Sequence, residues 1–363
     1  MRWMGTDIMT TRRNFLGSLL AASAAPKIGW AAAGNPAFLA CAKVSGDSFA
    51  LFGLTGEGRQ TFQLGLPERG HAGAGHPTLP YAVVFGRRPG IYALVIDCAA
   101  GTVLHQLTPP EGQQFNGHGV FLQGGAVLAT SEQSADTSQG AIGLWDVAGN
   151  YARIGQIQTQ GIGPHELRLM ADDATLIVAN GGIATDGTDR TKLNIPDMAP
   201  NLTYLTAAGG VVEQVSLDPA LHQNSIRHLA VRPDGLVAFA MQWEGEGAAP
   251  PLLGLHRRGQ AVVLASAPQA DETVMQGYAG SVAFGSGGDQ VAITSPKGGR
   301  VHIFDAAGGF VTAISRADVC GLVGQTDGFM VSDGAGALLS IRNGLPGLLA
   351  RHDCSWDNHI IQL

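Results

Sequence analysis

The stretch HQNSIRHLAVRPDGLVAFAM, residues 222–241, decides how this chain is read. It contains a strand (Arg227 to Val231), a turn (Arg232-Pro233-Asp234-Gly235) and a second strand (Leu236 to Met241). Proline presets φ for the turn, aspartate bonds its own backbone, and glycine accepts a positive φ. The first strand carries His228. Histidines stand in the same setting at His71, His118, His165 and His359. Ser281, before VAFGSGGD, and Cys320, before GLVGQTDG, keep the frame but change the residue. The seven positions lie 47, 47, 63, 53, 39 and 39 residues apart. A repeat of that length made of short all-β units indicates a propeller, here with seven blades.

A second mark runs in phase with the first. Apolar strands close on Asp97-Cys98-Ala99-Ala100-Gly101, Asp146-Val147-Ala148-Gly149 and Asp305-Ala306-Ala307-Gly308, with a degenerate copy at Leu205 to Gly209. Each reads as the hairpin between the third and fourth strands of a unit. At the N-terminal end, Ala37 to Val44, Phe49 to Leu54 and Gln60 to Leu64 supply three strands with no marked strand before them. At the other end, His359 to Leu363 is one strand with nothing after it. The expected solution is a shared blade, with the C-terminal strand innermost, which closes the ring and removes open sheet edges. The segment Gly181 to Pro200 explains the 63-residue spacing and is expected to cover one mouth of the ring. A shorter loop from Glu244 to Pro251 stands at the same place in the next blade.

Residues 1–33 read as an export signal outside the fold, with residues 34–363 forming the propeller. Thr11-Arg12-Arg13-Asn14-Phe15-Leu16 has the twin-arginine pattern, followed by a mildly apolar run from Gly17 to Ala25 and the small residues Ala31-Ala32-Ala33. That run is too short to span a bilayer stably. The expected destination is the periplasm, by the twin-arginine route. Removing the segment takes away Arg2, Arg12, Arg13 and Lys27 against Asp7. It leaves 18 basic and 28 acidic side chains, a net charge of −10. An acidic body argues against nucleic acid or anionic membrane as partner and is compatible with cations.

The four cysteines (Cys41, Cys98, Cys320, Cys354) have neither CxxC nor CxxCH spacing, which excludes attached c-type haem and a zinc ribbon. A Cys41–Cys354 disulfide near the chain closure is one expectation, and small buried hydrophobes the other. No nucleophile elbow, P-loop or dinucleotide fingerprint occurs.

In a propeller the innermost strands ring the axis, so His71, His118, His165, His228 and His359 are expected to converge at one mouth. Neutral imidazole suits Fe, Cu, Zn and Ni. Affinity for such an ion should fall as pH drops through the imidazole range near roughly 6.5. Glu166 is the carboxylate expected to join the metal ligands or orient an imidazole, with Glu132 a second such group. Arg69, Arg227 and Asn358 flank the histidines, and His222, Asn224 and Trp243 are expected near the mouth. The competing reading is structural. Gly70-His71 and Gly117-His118 look like the Gly-His pair of WD-type repeats, whose histidine bonds within its own blade. His76, His105, His256, His302 and His352 lack the repeat phase and read as surface or packing residues.

Several of these motifs together resemble the DUF1513 family of exported bacterial proteins. They are Arg69-Gly70-His71, Val83 to Gly86 with Arg87-Arg88-Pro89-Gly90, Asn116-Gly117-His118-Gly119, Gly163-Pro164-His165-Glu166, Lys192-Leu193-Asn194, His222 to His228, and Asp357-Asn358-His359. The resemblance implies a secreted protein encoded near imelysin-like and dihaem-type proteins, in loci that look like iron acquisition. It implies a context, with no reaction attached. Three functions remain open from the sequence. One is a metal-binding or metal-handling protein, for iron or copper, with haem a further ligand of the ring and periplasmic iron-uptake proteins as partners. The second is a non-catalytic scaffold docking a partner of the same locus. The third is an enzyme with a redox metal in the ring. A propeller can host all three.

Overall fold

A computed structural model describes residues 29–87 and 92–363. The twin-arginine motif, the apolar run behind it and Arg88 to Gly90 lie outside the described residues. Twenty-eight strands, β1 to β28 in chain order, form seven four-stranded antiparallel sheets arranged as a seven-bladed propeller. The innermost strands are β4 (Gly70–Gly75), β8 (Gln113–Leu122), β12 (Pro164–Leu169), β16 (Asn224–Val231), β20 (Ser281–Phe284), β24 (Val319–Gln325) and β28 (Ser355–Gln362). Each holds one of the seven marked residues.

The closing blade has the order β28-β1-β2-β3, where β1 is Phe38–Lys43, β2 is Phe49–Leu54 and β3 is Gln60–Leu66. Leu39 faces Ile361 and Ala40 faces Ile360 across the β1–β28 ladder, as the shared-blade reading requires. The third and fourth strands of the units turn at Asp97, Asp146 and Asp305, again as expected.

Second strands such as β13 (Thr175–Asn180) are buried throughout, because a neighbouring blade covers each face. Their sequences are therefore continuous apolar runs instead of alternating ones. Outer strands such as β15 (Val211–Ser216) alternate, with one side in water. Seven apolar clusters stand among the described residues, one at each interface between adjacent blades. Phe239 is fully buried in one of them. Cutting such a side chain to alanine costs about 3–5 kcal/mol, through lost burial and the cavity left behind.

Of the two expectations for the cysteines, the disulfide is not formed. All four cysteines are free. Cys41 packs with Leu39 and Leu51 against the His71 blade, whereas Cys354 packs with Phe38 and Ala40 on the opposite interface, so β1 itself separates the thiols. Trp30–Ala33 form a 3-10 turn on the propeller, Ala33 is buried, and Trp30 Nε1 donates to the His76 carbonyl at 2.9 Å. Among the described residues no helix is long and apolar enough to cross a membrane.

Candidate metal centre

The marked residues lie at breaks in otherwise regular ladders. Register shifts fall around His71 in β4, His118 in β8, His165 in β12, beside His228 in β16, at Cys320 in β24 and around His359 in β28. Only β20, which begins with Ser281, pairs without a break. A bulge leaves its extra residue out of the ladder and re-aims its side chain. His359, expected as the first residue of its strand, lies inside a longer one. His118, His228 and His359 sit inside longer strands and reach the axis because the strand bulges there.

Sequence order places the histidine blades consecutively around the ring, from His359 through His71, His118 and His165 to His228. Neighbouring ring centroids lie 4.6 Å apart for His165–His228, 4.7 Å for His71–His359, 5.0 Å for His118–His165 and 5.1 Å for His71–His118. His228 and His359 meet at 4.7 Å although the Ser281 and Cys320 blades stand between them. Gly117 makes one of these contacts attainable. Its φ is +95°, and a Cβ there would lie 2.6 Å from His71 Cδ2.

Ring nitrogens of His71, His118 and His359, and of His118, His165 and His228, form two triads whose members lie within 4.8 Å of one another, sharing His118. One nitrogen on each of four of these rings, His71 Nδ1, His118 Nε2, His165 Nδ1 and His359 Nε2, is buried and makes no hydrogen bond. An unpaired buried polar atom costs about 1–3 kcal/mol, so four within one group of rings require an explanation. Burial lowers the pKa of His71, and lowers those of His118, His165 and His359 well below 6.5. These four rings are therefore neutral at physiological pH, the form that binds metals.

Glu166 orients this cluster from the side. Its Oε2 lies 3.1 Å from His228 Nδ1 and accepts from the Leu229 amide at 3.2 Å, while Oε1 pairs with Arg168 at 2.6 Å. Burial alone would raise this carboxyl. The Arg168 guanidinium, with the hydrogen bond from His228, instead holds it well below the usual carboxylate range. An ionised carboxylate only accepts, so His228 Nδ1 carries the proton and Nε2 keeps its lone pair for the cluster. Asp357 plays a looser part beside His71, at 4.0 Å from Nδ1, and pairs with Arg69 and Arg87. Burial would raise Asp357 as well, yet His71 and Arg69 hold it at about 2.

Glu132 does not reach the centre. Arg153 clamps both its oxygens at 2.9 Å inside its own blade. His222 pins the 181–200 segment by contacts to the carbonyls of Pro196 and Pro219. His76, His256 and His352 bond to backbone or Tyr204 as packing residues. Sequence reasoning did not assign Asp357, Arg87, Arg190 or Tyr278 a role near the centre, because they share no repeat phase. Arg87 and Asp357 were visible only as parts of the family motifs.

Fold and site together define a seven-bladed propeller with an axial cluster of five histidines able to hold a metal ion. The chain belongs to the family described as "Protein of unknown function (DUF1513)", whose model matches residues 64–363. No curated protein shows a significant match. Among solved structures, hydrazine synthase of Kuenenia stuttgartiensis is similar at 15% identity, with a TM-score of 0.57 over 85% of this chain and 90% of that one. At that identity the likeness carries the fold alone.

Proposed function

We propose that this protein is an exported, periplasmic metal-handling propeller whose axial histidines bind a transition ion, iron or copper, in iron acquisition. The observation that carries the metal reading is the gathering of five imidazoles into two triads whose ring nitrogens lie within 4.8 Å of one another, with a buried, unpaired nitrogen on four of the rings. A structural role of the WD type would tie each imidazole within its own blade, and these nitrogens make no such bond. A metal at about 2.1 Å from each nitrogen would hold them at most about 4.2 Å apart, so each triad need close only slightly around an ion. The imidazoles already touch one another, so a haem would have to displace them, and an ion is the better fit. The iron assignment and the export route rest on the twin-arginine pattern and the family resemblance.

Metal analysis of protein purified from periplasm, without chelator or a histidine tag, tests this reading. Near-stoichiometric iron or copper supports it. Metal-free protein that takes up neither ion on reconstitution overturns it and favours the docking scaffold, with the 181–200 segment as its contact.

A further inference from the structure

A cavity lies on one side of the histidine cluster, floored by His71, His165 and His228. Arg87, Arg190 and Arg227 line it with Asn116, and no carboxylate is among its described lining residues. That concentration of positive charge stands out in a chain of net charge −7. The 181–200 segment brings Arg190 there, so its expected place over the mouth acquires a chemical purpose.

The nearby acids are not given over to Arg87 and Arg227 one for one. Asp357 is shared between Arg69 and Arg87. Glu244 pairs with Lys192 and lies 3.9 Å from Arg227. Arg227 is largely buried, and its Nε makes no hydrogen bond. Asn116 is 5% exposed and spends its amide donor on the Pro164 carbonyl. Like charges gathered in a part-closed cavity are stabilised by an anion. The planar guanidinium fork binds carboxylate and phosphate through paired N–H donors.

We propose that this vestibule binds a small oxyanion, a carboxylate or a phosphate, held by Arg87, Arg190 and Arg227 against the exposed face of the histidine cluster. Anion binding itself needs no metal. Its further role, as an anionic co-ligand that accompanies the ion into the centre, rests on the metal reading above. On the opposite side of the cluster the Glu166 carboxylate, paired with Arg168, lines the channel beside His118, His228 and His359, so an anion meets a like charge there.

The test is calorimetric titration of malonate and, separately, inorganic phosphate into the mature protein stripped with a neutral chelator, then into the zinc-loaded protein. The stripped wild type should bind at least one of the two. Arg227→Gln should weaken that binding at least tenfold, and so should Arg190→Gln, whose exposed loop position keeps the test valid if the first variant folds poorly. Preference for malonate or phosphate identifies the natural class. Anion binding lost in these variants, by a protein that binds no metal, leaves the vestibule standing and removes the metal centre. Metal binding without heat from either anion, or anion binding indifferent to both substitutions, overturns the proposal.

Discussion

Five consecutive blades of this ring present histidine to the axis and two present Ser281 and Cys320. The backbone frame is nearly the same in all seven, so the difference lies in what the small residues permit. Seven imidazoles could not meet at one point. With Ser281 and Cys320 in two places, His228 and His359 close across the gap to 4.7 Å, and the five rings gather into one cluster. Ser281 supports that closure by donating to the Asn358 carbonyl at 3.0 Å, with its Oγ 3.4 Å from His359 Nδ1. Burial pushes the Cys320 thiol well up, so it is no thiolate ligand at neutral pH. The five-blade arc supplies donors, and the two-blade arc supplies room.

The largest effect should come from cutting the arc at its end. Deleting His359 to Leu363 removes one of the five axial histidines and the end of the strand that pairs with β1. The expected result is loss of cooperative thermal unfolding. Wild-type melting in the truncated protein would contradict closure through β28.

Glu166→Gln leaves all five rings in place but withdraws the charge that fixes the His228 tautomer. Loss of such a second-layer carboxylate lowers metal affinity by about 10–100-fold. An unchanged zinc affinity would show that Glu166 serves the Arg168 pair alone.

The pH response separates buried imidazoles from exposed ones. Unfolded imidazoles titrate near roughly 6.5, whereas burial holds His71, His118, His165 and His359 lower in the fold. Below about 6.5 the unfolded chain takes up protons that the folded cluster refuses, so the metal-free protein loses stability as pH falls from there. Metal affinity should hold to lower pH than free imidazole would allow, which revises the expectation of a fall near roughly 6.5. Melting temperatures of the metal-free protein from about pH 7.5 to 5.5 check the first part. A melting temperature independent of pH over that range would contradict it.

The smallest effect should follow Ser281→Ala in the other arc. It removes one support of His359 and no ligand, so zinc affinity should change by less than about tenfold. A larger loss would make Ser281 part of the centre.

Much of the fold was legible because its period is physical. Two turn marks in phase placed the hairpins, and the unpaired ends of the chain revealed the shared blade. The three N-terminal strands, expected over Ala37 to Val44, Phe49 to Leu54 and Gln60 to Leu64, are observed at Phe38–Lys43, Phe49–Leu54 and Gln60–Leu66. The five histidines were legible for the same reason. The bulges that turn them inward were not, because register is a property of pairs of strands and leaves no fixed residue signature. Glu132 looked equivalent to Glu166 until Arg153, from the fourth strand of the same blade, was seen to hold it. The arginine vestibule was also hidden, since Arg87, Arg190 and Arg227 come from unrelated positions in three units.

The central claim is that the five-histidine arc is a metal centre and not a set of structural imidazoles. Calorimetric titration of Fe, Cu and Zn salts into the wild type and into a His118→Ala, His228→Ala double variant tests it most directly. His118 belongs to both triads and His228 to one, so the double change leaves neither complete. The account predicts binding by the wild type that raises its melting temperature, and no binding by a variant whose metal-free form still melts cooperatively. A wild type that binds none of these ions, or a variant that loses its fold while the wild type shows no metal-dependent stabilisation, would contradict it.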